Sequence, residues 1–458
     1  MNLHSHMMNR RQFSTLGAAV GGMIALPQPA LRSLQAAKQK ADNRHGTLRI
    51  TNIEAHDISV PYADWISYQL QHFYGPTQRT VYVVHTNHDL IGLGEGAKEP
   101  VDVQEKYIGS NPFDWIGDET SLSLGTAMYD LMGRAAGVPV WKLFGQRYRH
   151  LVPVGSWTVS TQPQRMAEAV QQYSSQGYTW MKYHLSPFEN VFDQLEAMQK
   201  VAPKGFKVLF DITMGGTNDH IPSLLEDMAA FPIAGAVEDP LNEKNIEGYI
   251  ELRKRSRLPI VLHHSSQNFT FDVLRRSADA YILGHAKIGD AIRRAGLFAA
   301  TDAPFMLQNV GGTITRAMTV HMQAAFQTAS FPFHSDTETW KDDVTEQRLE
   351  PVNGLIRVPQ GPGLGVTLDL EALERLKALE LPQQPKWIIK TQFANGAMLY
   401  NLADPQQSIF MVRPDVRRLV PLSYSAPVST EYWDDDGSNA YRQMFARLER
   451  DKVVLEKN

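Results

Sequence analysis

The sequence predicts an α/β fold, a parallel TIM-like β/α barrel behind a small N-terminal α+β domain. Three observations predict it. From Val152 onward, short apolar strands alternate with amphipathic helices, at residues 152–158, 179–185, 207–212, 235–238, 260–263, 280–285, 305–309 and 331–335. Ahead of them, residues 49–55 and 80–86 read as strands, with Asn87-His88-Asp89 as a turn. An open doubly wound sheet would want a glycine-rich phosphate turn after its first barrel-region strand, and Gly155-Ser156-Trp157 is not one.

Taken in chain order, Asn9-Arg10-Arg11-Gln12-Phe13-Ser14 precedes an apolar, small-residue run at 16–26 and then Pro27-Gln28-Pro29-Ala30. That order reads as a twin-arginine export signal, so residues 1–45 are signal and linker and a periplasmic protein is expected. Met7 or Met8 serves equally well as the start. The apolar run is too short for a stable transmembrane helix, and no later segment qualifies, so no stable membrane insertion is expected.

Residues 46–150 form the first domain: the antiparallel sheet, a mobile surface loop over 62–74, and a helix over 121–136 with Leu122, Leu124, Met128, Leu131 and Met132 at helical spacing. Residues 151–350 are the barrel. A Pro/Gly-rich strand and short helix occupy 352–381. Residues 382–458 form a C-terminal extension of unknown role, either an oligomer contact or a cover over the barrel, ending in a charged helix at 439–455. A homo-oligomer is expected.

With 458 residues, 43% of them hydrophobic, the chain can bury a large core. A net charge of −4 offers no basic field for a phosphate backbone, which argues against nucleic acid. The absence of cysteine excludes thiolate chemistry and disulfides.

Two of the apolar strands terminate in carboxylates, Leu209-Phe210-Asp211 and Ala236-Val237-Glu238, at the end where barrels build their sites. Met181-Lys182-Tyr183-His184 places Lys182 and His184 on one face, about 6 to 7 Å apart. Pro259-Ile260-Val261-Leu262 runs into His263-His264, of which one enters the mouth because neighbours on a strand face opposite ways.

Three stretches together resemble the mandelate racemase and muconate lactonizing enzyme branch of the enolase superfamily: Asp89 to Gly96, Gly125 to Gly145, and Gly361-Pro362-Gly363-Leu364-Gly365-Val366. The resemblance covers about residues 47 to 381. It implies a (β/α)7β barrel with an N-terminal α+β capping domain over its mouth, rejoined by residues of about 351–381. It also implies a divalent metal, usually magnesium, that binds a substrate carboxylate while the proton on the adjacent carbon is removed.

On this resemblance Asp211 and Glu238 take the first two metal-ligand positions. The third, an acid in the family, is His263 when aligned from Pro259, or His264 one residue later. Imidazole suits zinc, iron or nickel better than magnesium, so another ion, or no metal, is the alternative. Lys182 matches the lysine that touches the substrate carboxylate, and His184 stands where the family has a lysine base. His285 takes the racemase-type aspartate position, Gly284 the muconate-type lysine position, and Gln308 the racemase-type histidine position. Lys287 belongs to the following loop, and His334 or Asp336 offers an acid near strand eight.

The expected function is a lyase or isomerase acting on a small carboxylate, first of all a sugar-acid dehydratase, with His184 or His285 as base. The rival expectation is a catalytically impaired paralogue that binds a carboxylate or a protein partner. A structural assembly protein using residues 382–458 is the third.

Overall fold

The computed structural model describes residues 47–186, 189–213, 218–265, 269–404 and 428–457, so the export signal expected in residues 1–45 falls outside the described residues. Three antiparallel strands come first, β1 (Ile50–Val60), β2 (Thr77–Thr86) and β3 (Ile91–Gly96), in the order β1-β2-β3. The segment expected as a mobile loop over 62–74 is a correction: it contains helix α1 (Ser67–Tyr74). Leu70 and Phe73, three residues apart on one helical face, are buried in the main core. Burial of that face fixes the segment.

Helix α2 (Leu122–Ala136) begins where Ser121 accepts the Leu124 N–H at 3.1 Å and ends at Gly137, whose φ of 68° suits a residue without Cβ. Inside it, the fully buried Asp130 carboxylate accepts the backbone N–H of Leu93 (3.0 Å) and of Leu364 (2.8 Å), and Arg134 Nε at 2.9 Å. One side chain thus ties together the three stretches that carry the family resemblance. Gly363 must be glycine here, because its φ is 72° and a Cβ would stand 2.1 Å from Asp130 Oδ1.

The expected first barrel strand divides in two. β4 (Leu151–Pro153) leaves the barrel to pair antiparallel with a later strand, and β5 (Ser156–Val159) starts the parallel sheet. That sheet continues through β6 (Trp180–His184), β7 (Lys207–Asp211), β8 (Ala234–Glu238), β9 (Ile260–Leu262), β10 (Ala280–Gly284) and β11 (Phe305–Gln308), each beside its sequence neighbour. The eighth position holds single bridges, Val154 to Phe333 and Gln308 to His334, which span from β11 back toward β5. Pro332, lacking an N–H, prevents a regular eighth strand across 331–335. The intervening helices bury an apolar stripe against the sheet, as Met166, Val170 and Tyr173 do in Pro163–Ser175.

After the barrel, β12 (Leu355–Arg357) pairs with β4, and helix Leu370–Lys377 packs on β1. The extension forms its own antiparallel sheet of β13 (Trp387–Phe393), β14 (Ala397–Ala403), β15 (Val428–Trp433) and β16 (Val453–Lys457), ordered β15-β13-β14-β16. The helix expected to run to 455 stops at Asp451; Lys452 turns at φ 65°, and β-branched Val453-Val454 leads into a strand. Tyr441 and Leu448 of that helix cover Ile388 and Val454 of the sheet. The extension is bonded to α1: Tyr68 Oη donates to Asp434 at 2.8 Å, and His72 Nε2 lies 2.7 Å from the same carboxylate. Barrel and sheets lie within one compact unit, Arg49–Asn458. Among the described residues, no helix is long and apolar enough to cross a membrane.

Candidate active site

Leu209, Ala236, Val261, Ala280, Ile282 and Met306 pack together as a buried apolar cluster, with Trp180 and Phe331 beside them. Side chains on a strand repeat their facing every second residue, so the next positions on this face are Lys182, Asp211, Glu238, His263, Gly284 and Gln308. The strand ends therefore convert an apolar filling into a polar layer within one residue pair. His263, two residues from Val261, belongs to this layer, with its side chain 15% exposed; His264 is 51% exposed.

Lys182 stands at the centre and is wholly buried. Its Nζ donates to Glu238 Oε1 at 2.7 Å and Gln308 Oε1 at 2.8 Å, and lies 2.7 Å from Glu238 Oε2 and 3.3 Å from Asp211 Oδ2. Burial disfavours the ammonium, but the Glu238 and Asp211 carboxylates outweigh it and hold the lysine above its ordinary pKa. The ammonium stays charged, with Glu238 Oε1 and Gln308 Oε1 as its hydrogen-bond acceptors.

His184 Nδ1 faces Asp211 Oδ2 at 2.8 Å and Thr213 Oγ1 at 3.2 Å. Asp211 Oδ1 in turn accepts the Thr213 backbone N–H at 2.8 Å and its hydroxyl at 2.9 Å. Thr213 reaches back to do so from a left-handed conformation, φ 52°. With Nδ1 assigned the proton that a carboxylate partner favours, Nε2 carries the lone pair. Adjacent strands thus build an Asp-His pair from two residues expected in different roles.

His263 Nδ1 lies 3.0 Å from Glu238 Oε1. Its Nε2 occupies the space over residue 284: a Cβ on Gly284 would stand 2.1 Å from it. This placement of the ring therefore requires glycine at 284, and a lysine there is sterically incompatible with it. Asp239, at φ 43°, accepts the His263 backbone N–H at 2.9 Å on Oδ1 and faces His264 Nδ1 at 2.6 Å with Oδ2.

Around the rim, β10 ends one residue earlier than expected, and His285 turns at φ 49° into an exposed position. Desolvation, followed by the charges of His263, Arg79 and Lys182, pushes its imidazole down to about 4. His334 is buried, and burial with the Lys182 charge pushes it down to about 3. Lys287 is exposed just ahead of helix Ile288–Ala300.

A cavity of about 280 Å³ lies between the N-terminal sheet and the barrel, lined among others by Tyr62, Tyr74, Arg79, Trp157, Asp336 and Trp340. Trp157 joins it to the polar layer, since it lies beside Lys182 in register and its ring is 6.1 Å from that of His184. Burial, reinforced by Glu338, raises the Asp336 carboxyl to about 7 against the pull of Lys182, Arg79 and Arg316. Arg79 is anchored by donation to the Val310 carbonyl at 2.8 Å, with Glu95 3.4 Å from its Nε. Arg79, Thr213 and Asp239 were not anticipated as site residues. Arg79 lies in the polar first half of its strand, Thr77-Gln78-Arg79-Thr80, where nothing in the sequence marks it, and nothing marks Thr213.

The structure brings together Lys182, His184, Asp211, Glu238 and His263, with His285 at the rim. The fit of a divalent ion to Asp211 and Glu238 is poor. Both Asp211 oxygens have protein donors, and the Lys182 ammonium lies 2.7 Å from each Glu238 oxygen, donating to Oε1 and leaving Oε2 without a hydrogen bond, so no step below is routed through a metal there. Among the described residues, Asp239, His263 and His264 form the group whose ligand atoms lie within 4.8 Å of one another.

A capped parallel barrel with titratable groups at its strand ends defines a barrel-enzyme architecture. Residues 165–373 match the family described as enolase C-terminal domain-like. D-gluconate dehydratase from Thermoproteus tenax is 24% identical over 59% of this chain, and that match spans 60% of the relative's length. D-xylonate dehydratase from Haloferax volcanii is 23% identical, covering 74% of this chain and 97% of the relative. A solved muconate cycloisomerase from Azorhizobium caulinodans superposes with a TM-score of 0.59 at 20% identity, covering 72% of this chain and 98% of its own. Residues 165–373 are thus enolase C-terminal domain-like, and the capped barrel has the fold of the mandelate racemase and muconate lactonizing branch of the enolase superfamily.

Proposed function

We propose that the protein is a lyase that removes the proton α to a carboxylate and eliminates a β-hydroxyl, a dehydratase of sugar acids. The observation that carries this reading is the His184–Asp211 pair, joined through Trp157 to a cavity whose other wall holds a carboxyl with a pKa of about 7. His184 Nε2 takes the C2 proton, while Asp211 holds the resulting imidazolium. Charge developing on the substrate carboxylate is met by Arg79 and Lys182, the cations whose fields reach His285 and Asp336. Asp336 donates its proton to the departing C3 hydroxyl, water leaves, and the enol formed becomes a 2-oxo-3-deoxy acid. His285, held neutral at a low pKa, is the weaker base of the two expected. The dehydratase names of the relatives from Thermoproteus tenax and Haloferax volcanii agree with this choice of substrate.

The test is incubation with a panel of aldonates and uronates in D2O, followed by proton NMR. Wild type should form a 2-oxo acid; Asp336→Asn should retain α-deuterium exchange and lose most product; His184→Asn should lose both. Neither exchange nor product across the panel sinks the reading. In that outcome the second reading, carboxylate binding without chemistry, is checked by ligand-induced thermal shifts, and the commitment of Lys182 to protein acceptors favours it. The reading also has the protein working in the periplasm, on the Asn9-Arg10-Arg11-Gln12-Phe13-Ser14 pattern. Substituting Arg10 and Arg11 by lysine should leave it in the cytoplasm.

A further inference from the structure

We propose that the Lys182 ammonium replaces a divalent cation at the Asp211–Glu238 pair, and that a divalent ion bound by this chain is held instead by Asp239, His263 and His264. Two observations carry the first half. The buried ammonium lies 2.7 Å from both Glu238 oxygens and 3.3 Å from Asp211 Oδ2, which is the space an ion shared by these carboxylates would need. Gln308 closes the remaining side, its carbonyl oxygen accepting from Nζ at 2.8 Å. An ion entering there would meet a fixed like charge at contact distance and would have to break these bonds, along with the one from His184 to Asp211.

The second half rests on the neighbouring residues. Asp239 is buried, and its positive φ of 43° turns the carboxylate back across the end of β9. Its Oδ1 is held by the His263 N–H at 2.9 Å, which leaves Oδ2 directed at His264 Nδ1, 2.6 Å away. The rings of His263 and His264 sit with centroids 4.3 Å apart, and one ligand atom from each of the three residues falls within 4.8 Å. Two imidazoles with one carboxylate suit cobalt, nickel, iron or zinc, and not magnesium, which prefers an all-oxygen shell. The inference concerns cation placement and holds whether or not the reaction assigned above is the right one.

The experiment uses the full chain stripped with a chelator. Co2+ is titrated and followed by its visible absorption, and Mg2+ by calorimetry. Wild type and Asp211→Asn should bind one Co2+ with similar affinity, while His264→Ala and Asp239→Asn should bind it at least tenfold more weakly. Wild type should bind no Mg2+ at 1 mM. Lys182→Ala, which leaves the two carboxylates facing an empty space, should gain a Mg2+ site that Lys182→Ala/Asp211→Asn loses. The proposal is overturned if wild type takes up Mg2+ stoichiometrically below 1 mM, if it binds no Co2+, or if Asp211→Asn abolishes Co2+ binding that His264→Ala preserves. Should Lys182→Ala fail to fold, the wild-type, Asp211→Asn and His264→Ala measurements decide the matter alone.

Discussion

Replacing Asp336 by asparagine tests the protonation state on which the elimination depends. Asparagine mimics the protonated carboxyl and tolerates the left-handed φ of 63° at this position, so the substitution adds little strain of its own. A carboxyl raised from 3.8 to about 7 on folding binds its proton more tightly in the folded state. Its stabilisation is complete below pH 3.8 and is lost as pH rises to about 7, beyond which the loss levels off. Linkage gives a loss of about 1.7 kcal/mol by pH 5 and about 4 kcal/mol by pH 8. Solvent at the partly exposed edge of the residue trims these figures. The asparagine variant should therefore gain roughly 1.5 to 2.5 kcal/mol over wild type between pH 5 and pH 8. Urea denaturation of both proteins at the two pH values measures this, and all other titrating groups cancel in the difference. If the difference between variant and wild type is the same at both pH values within about 0.5 kcal/mol, Asp336 titrates as an ordinary carboxyl. It then has no proton to deliver at neutrality.

Gly284→Ala adds a Cβ into the His263 ring and should cost about 1 to 3 kcal/mol in urea. Adding His263→Ala should relieve the clash, giving a coupling of at least about 1 kcal/mol in a double-mutant cycle; additive losses would show that the ring and residue 284 do not meet. Asp434→Ala removes the carboxylate that Tyr68 and His72 share. Hydrogen exchange over residues 67–74 should then quicken by about five- to thirtyfold, the equivalent of about 1 to 2 kcal/mol. Unchanged exchange there would mean that the extension does not brace α1.

Much of the architecture was legible because it repeats. Apart from the first, which divides in two, the alternating strands up to Gln308 lie within a residue or two of their expected bounds, and the apolar runs ending at Asp211 and Glu238 pointed to the correct rim. The three motif stretches are far apart in sequence, and Asp130 shows why they occur as a set: each supplies one of its partners. Period-two reasoning placed Lys182 and His184 on one face but could not reveal which acceptors the ammonium would find, because those come from β7, β8 and β11. Pro332 was visible and should have demoted the eighth strand. The hairpin of β13 and β14 was equally marked, by Asn395-Gly396 between two apolar runs, with Gly396 at φ 84°. The aromatic content of residues 62–74 was read as exposure because a helix of eight residues leaves little room for periodicity.

The bond from Asp434 to α1 has a consequence for the order in which the molecule is assembled. Tyr74, at the end of α1, walls the cavity, and α1 is fastened by a residue some 360 positions later in the chain. A nascent chain can pair β1 with β2 and complete the parallel sheet while its last strands are still unmade. The wall of the cavity acquires its outer brace only when β15 arrives, so a chain broken before residue 434 would carry every polar group of the site beneath a wall held by its buried face alone.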